Sequence, residues 1–148
     1  MPLDNLSREE ERRIWLDGVR LFNDGLYFEA HDTWEEVWNR VRDKRREQFY
    51  RAIIQSAVTL ELLRRGRAVG VRQVFVSSSE LFGGLPEVFM GLDIPAFLAK
   101  LRNAIEPVID DLETRTTQID PARLFKIELA YDPFTDPRAD EFPELRGA

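Results

Sequence analysis

Apolar residues recur along the chain at spacings of three and four. The breaks between these runs fall at capping and turn residues, so the pattern predicts helices throughout the first three quarters. Ser7 followed by Arg8-Glu9-Glu10 is a capping box. Behind it Ile14, Leu16, Val19, Leu21 and Phe22 mark a helix over roughly 7–23, which Asn23-Asp24-Gly25 ends. A second helix is predicted over about 26–41. The polar link Arg42 to Arg45 leads to a third over about 45–65, which stops at Leu-Leu-Arg-Arg-Gly66. A fourth, about 67–82, places Val71, Val74, Phe75, Ser78 and Phe82 on one face and ends at Gly83-Gly84-Leu85-Pro86. Asp93 caps a fifth with a buried stripe of Phe97, Leu101, Ala104, Ile105, Val108 and Leu112, in which Pro107 should kink or split the helix.

From about residue 115 the pattern becomes irregular. Phe125 to Leu129 is a candidate short strand, and Tyr131 to Leu145 holds too much Pro and Asp for a helix. Tyr131, Phe134 and Phe142 give this tail apolar anchors, so it is expected to lie across the helical body. The expected architecture is all-α: a compact bundle of about five helices built from two antiparallel helical hairpins. A helical domain would span 1–114 and an irregular tail 115–148.

The stretch GLYFEAHDTWEEVWNRV, residues 25–41, holds the single histidine and two of the three tryptophans. Advancing about 100° per residue along a helix puts Tyr27, Ala30, Trp34, Val37, Trp38 and Val41 on one apolar arc. Glu29, Asp32, Thr33, Glu36, Asn39 and Arg40 fall opposite. His31 lands inside the apolar arc, and Glu35, one turn on, lands between His31 and Phe28. A carboxylate placed there needs donors, because burying one unpartnered costs several kcal/mol. The third helix is apolar nearly all round except for Arg51, Gln55 and Thr59 at i,i+4 spacing. His31, Glu35, Arg51 and Gln55 are therefore expected to form one semi-buried hydrogen-bonded cluster. Tyr27, Trp34 and Trp38 complete a candidate binding pocket.

Composition narrows the chemistry. With 148 residues, 43% of them hydrophobic and 32% charged, the chain can bury a sizeable core. A net charge of −6 argues against broad attachment to nucleic acid. The basic runs Arg40 to Arg46 and Arg64 to Arg72 are expected to be solvated helix ends. The absence of cysteine removes disulfides and thiolate ligands and fits a reducing compartment. No stretch has the ~18 apolar residues of a membrane span, and the N-terminus lacks a secretion signal, so a cytoplasmic protein is expected.

Zinc sites on one helix need two histidines, and this chain has one. Glu29 and Glu35 lie about 120° apart on the helix, so they do not share an ion, and no metal or other cofactor is expected. His31 with Glu35 orienting it would suit acid–base chemistry, yet there is no G-x-S-x-G, cysteine nucleophile or phosphate loop to accompany it. The expected role is a small binding or interaction domain for an unknown small ligand or peptide, without nucleic acid or membrane, and with a homo-oligomer left open. The alternative is a hydrolase-type enzyme using His31 and Glu35 as an acid–base pair or as metal ligands.

Phe22, Gly25 and the run Ala30-His31-Asp32-Thr33-Trp34-Glu35-Glu36-Val37-Trp38 resemble an uncharacterised helical family, domain of unknown function 309. Ile53-Ile54-Gln55 and the turn at Gly66 to Gly70 extend the likeness over roughly residues 12–85. The family's common form has glutamate after the histidine, where this chain has Asp32. The resemblance implies a compact helical bundle and no particular reaction. The turn GLYFEA also echoes tetratricopeptide-type hairpins, without the full repeat.

Overall fold

A computed structural model describes residues 6–145. Five α-helices run in order: α1 (Arg8–Asn23), α2 (Tyr27–Trp38), α3 (Lys44–Arg64), α4 (Ala68–Gly83) and α5 (Ile94–Asp110). Short connections turn the chain back on itself between the first four, so α1 packs on α2, α2 on α3 and α3 on α4. The fold is all-α, with one two-stranded hairpin before α5, and no helix among the described residues is long and apolar enough to cross a membrane.

The caps predicted at Ser7 and Asp93 are in place, and Asp43, read from the sequence only as part of a polar link, caps α3. Ser7 accepts from the Glu10 amide at 3.0 Å, Asp43 from Arg46 at 2.9 Å and Asp93 from Ala96 at 3.1 Å. The box at Ser7 closes differently from the sequence expectation: its hydroxyl also donates to the Glu10 carboxylate at 3.2 Å. α2 ends at Trp38, three residues earlier than predicted, in a turn where the Arg40 and Val41 amides both donate to Val37 O.

The core is aromatic. Trp15, which the sequence pattern passed over, lies at its centre with its ring 5.5 Å from Trp34, 5.2 Å from Phe49 and 5.9 Å from Tyr50. Phe22 links this group to Tyr27, Phe97 and Phe125. α3 is buried on most sides, as a central helix must be, and Ser56 and Ser78 lock it to α4 with a 2.7 Å hydroxyl contact beneath Ala52 O.

α5 continues through Pro107 to Asp110 instead of splitting. Proline removes the amide that would serve the carbonyl four residues back, at Asn103. Arg123 Nη1 serves that carbonyl instead, at 2.8 Å. Leu112, assigned to the buried stripe by its spacing, falls beyond the end of the helix and is exposed. Residues 125–129 form no strand. Their segment is held by Asn23, whose amide group donates to Ile127 O at 3.0 Å and accepts from Ile127 N at 2.6 Å. The strands are instead Val88–Phe89 and Leu92–Asp93, joined by Met90 and Gly91, both with positive φ, as a type I′ turn requires.

α1 and α2 approach closely at Gly18, where a β-carbon would fall inside the Trp34 indole. Alanine in a helix gains roughly 1 kcal/mol over glycine, and overpacking of this kind costs about 1–3 kcal/mol. The collision wins here because Trp34 is fully buried and its Nε1 is tied to Trp15 O at 3.2 Å. Gly18→Ala should therefore lose about 1–2 kcal/mol in urea unfolding, despite the better helix former. A neutral or stabilised variant would show that α1 and α2 are not held by this contact.

Candidate functional site

The contact of Trp34 with α1 sets the rotation of α2 and thereby the direction of its neighbours. His31, Glu35, Trp38 and Phe28 follow at helical spacing on the side that meets α3. His31 Nε2 lies 2.7 Å from Glu35 Oε1, one turn apart, with 21% of the imidazole and 42% of the carboxylate side chain exposed. The pair thus stands at the surface of a groove and is not sealed in the core.

Two hollows flank it. One of about 250 Å³ is lined by Glu35, Trp38, Arg51, Ile54 and Gln55. The other, of about 220 Å³, is mainly apolar and is bordered by Tyr27, Phe28, His31, Val58, Leu62 and Arg65. Phe28 is 47% exposed, with the Arg65 guanidinium 5.9 Å above its ring and His31 5.6 Å to its side. Arg65 is steadied by Glu61, which also binds Arg64.

The four-residue cluster expected from the sequence forms only in part. His31 and Glu35 pair, and Glu35, Arg51 and Gln55 line one hollow. Among the described residues, however, neither Arg51 nor Gln55 bonds to the pair through its side chain. Arg51 is exposed, because the arc of α3 that carries it faces outward. Thr59, third in that stripe, is buried and donates to Gln55 O at 2.8 Å. Trp34 does not line the groove: it is core, as its fit to Gly18 demands. Tyr27 is nearly all core and shows only an edge to the apolar hollow, and burial raises its hydroxyl pKa. Trp38 is half-buried, its Nε1 donating to Glu47 at 2.7 Å.

Two buried polar atoms at this groove have no hydrogen-bond partner among the described residues, His31 Nδ1 and Gln55 Oε1. Each such orphan costs about 1–3 kcal/mol unless something satisfies it. Among the described residues no three His, Asp or Glu side chains come together as a metal-holding group.

A second polar centre was missed in the sequence. Arg46 is 5% exposed, where a solvated helix end had been expected. Its Nε and Nη2 grip Glu11 at 3.0 and 3.2 Å, Nη1 donates to Glu141 O at 2.7 Å, and Tyr50 OH donates to Glu11 at 2.9 Å. Burial pushes the Glu11 carboxyl above its ordinary value against the lowering pull of Arg46. Burial alone would depress Arg46, but Glu11 more than offsets it and the guanidinium is held high. The signal was the spacing: Glu11 continues the stripe of Trp15, Gly18 and Phe22, and Arg46 that of Phe49, Tyr50 and Ile53.

The five-helix arrangement defines the class, an all-α bundle. Residues 15–74, from the Trp15 turn of α1 into α4, match the model of a family described as a domain of unknown function, DUF309. That span contains His31, Glu35, Arg51 and Gln55 and bears out the resemblance carried by the Ala30 to Trp38 run. Over 108 residues the chain is 25% identical to an uncharacterized protein of Aquifex aeolicus (strain VF5), a match covering 73% of this chain. The chain spans 31% of that relative's length.

Removing one member of the buried pair strands the other's charge. Glu11→Leu or Arg46→Met alone should cost about 3–5 kcal/mol in urea unfolding, and the double variant should cost less than the larger single. Additive losses would contradict the pairing. Glu61 sets a pH dependence. Its hydrogen bond from Arg64 lowers its carboxyl pKa against the raising effect of burial, with Arg65 adding to the decrease. The stabilisation is then present above the ordinary value of 4.5 and lost as pH falls through the lowered one. The stability advantage of the native chain over Glu61→Gln should shrink on acidification below that value, and an advantage that grows would reverse the sign.

Proposed function

We propose that this is a small binding module whose ligand sits in the groove between α2 and α3, across the His31–Glu35 pair. The observation that carries this is the state of the imidazole. Nε2 faces Glu35 at 2.7 Å, and Nδ1 is buried, so neither nitrogen is presented to a substrate as a free base. The pair builds a polar wall, and the space on either side of it is where another molecule fits. The groove combines the features of ligand sites: apolar lining from Phe28, Val58, Leu62, Trp38 and Ile54, with a few convergent polar groups. This favours capture over acid–base catalysis.

A library of small organic fragments, titrated into isotope-labelled protein and followed by amide and indole NMR shifts, tests this. Binders should move the Trp38 indole and the side-chain amide of Gln55. His31→Ala and Glu35→Gln should weaken those shifts at least about tenfold while the variants remain folded; that factor corresponds to ~1.4 kcal/mol. Fragments that map elsewhere, or variants that melt earlier yet bind unchanged, would overturn the proposal.

A further inference from the structure

The polar hollow is specific enough to name a ligand class, on the premise that the α2–α3 groove binds ligands. We infer that it takes a free α-amino acid with an apolar side chain, its carboxylate on Arg51 and its ammonium on Glu35 and Gln55. Arg51 has an exposed guanidinium with no ion pair or hydrogen bond among the described residues, so its donors are available to a carboxylate. Opposite stand groups that accept. Glu35 uses Oε1 toward His31 and leaves Oε2 without a partner among the described residues. Gln55 Oε1 is buried and unpartnered.

A plain carboxylic acid would answer Arg51 and leave these acceptors unmet. A plain amine would meet the acceptors and be repelled by Arg51. A zwitterion satisfies both sets. Trp38 and Ile54 supply the apolar surface for the side chain of the ligand. The volume, about 250 Å³, lies below the ~300–1,000 Å³ of sites for larger ligands, which restricts the occupant to something small.

Three probes separate the terms: leucine, leucinamide, which lacks the carboxylate, and N-acetylleucine, which lacks the ammonium. Each is titrated into the full chain and read at the Trp38 indole. Leucine should give saturable shifts, and both analogues should bind at least about tenfold more weakly. Arg51→Gln, which removes no contact within the protein, should weaken leucine about tenfold and leave leucinamide unchanged. No saturable response to leucine, or a loss with Arg51→Gln that is equal for leucine and leucinamide, would overturn the assignment. If leucine fails while other fragments still map to the groove, the ligand class falls and the groove stands. If nothing maps there, both fall.

Discussion

The position of the Trp34 indole in the notch left by Gly18 governs the rest of the domain. A tryptophan this deeply buried has one place to go, and its Nε1 bond to Trp15 O fixes the ring within that place. Because successive helical residues advance by about 100°, fixing Trp34 toward α1 fixes His31, Glu35, Trp38 and Phe28 toward α3. The chemistry of the groove is thus oriented by a core contact on the adjoining face of the same helix.

α3 bears on both sides of this arrangement. It supplies Phe49, Ile53, Ala57 and Leu60 to the interior and an outward row of Arg51, Gln55, Val58, Leu62 and Arg65 to the groove. The irregular C-terminal segment, which has no ladder for its backbone, is tied down by arginines that donate to main-chain carbonyls. Arg8 reaches Phe134 O at 2.7 Å and Arg46 reaches Glu141 O at 2.7 Å, and both guanidiniums lie over the Phe142 ring. Arg72 serves Val108 O and Thr114 O in the same way where α5 ends. Planar, multi-donor guanidinium suits this task better than ammonium, because one side chain can answer several fixed oxygens at once.

The helices and their caps were legible because each rests on local rules: a side-chain oxygen at the N-cap, glycine at the stop and a 3.6-residue stripe. His31 beside Glu35 was legible for the same reason, since i,i+4 neighbours on a helix must meet. What failed depended on contacts distant in sequence. The integrity of α5 at Pro107 depends on Arg123, and the path of residues 125–129 depends on Asn23. Arg46 looked like a solvated cation because the partners that bury it come from α1 and the tail. The expected bonds from Arg51 and Gln55 to the pair did not form because an angular position on one helix does not fix the separation between two. The hairpin at 88–93 is only two residues per strand, too short for an alternating pattern to show.

A polar pair whose work was confined to holding two helices together would gain most from enclosure, where a low dielectric strengthens it and every lone pair is met. The Glu11–Arg46–Tyr50 group has that form: it is buried, and its bonds reach α1, α3 and the tail. His31 and Glu35 differ on each count. His31 pairs with Glu35 and stands 3.7 Å from the Asp32 carboxylate, all on one helix, and the Glu35 side chain is 42% exposed, so these contacts add little to the packing of α2 on α3. A hollow opens on either side of them, and an unsatisfied acceptor lies next to the pair on α3. Of the two polar centres in this fold, the one that is structurally complete is the clasp of the tail, and the one that is chemically incomplete is the groove.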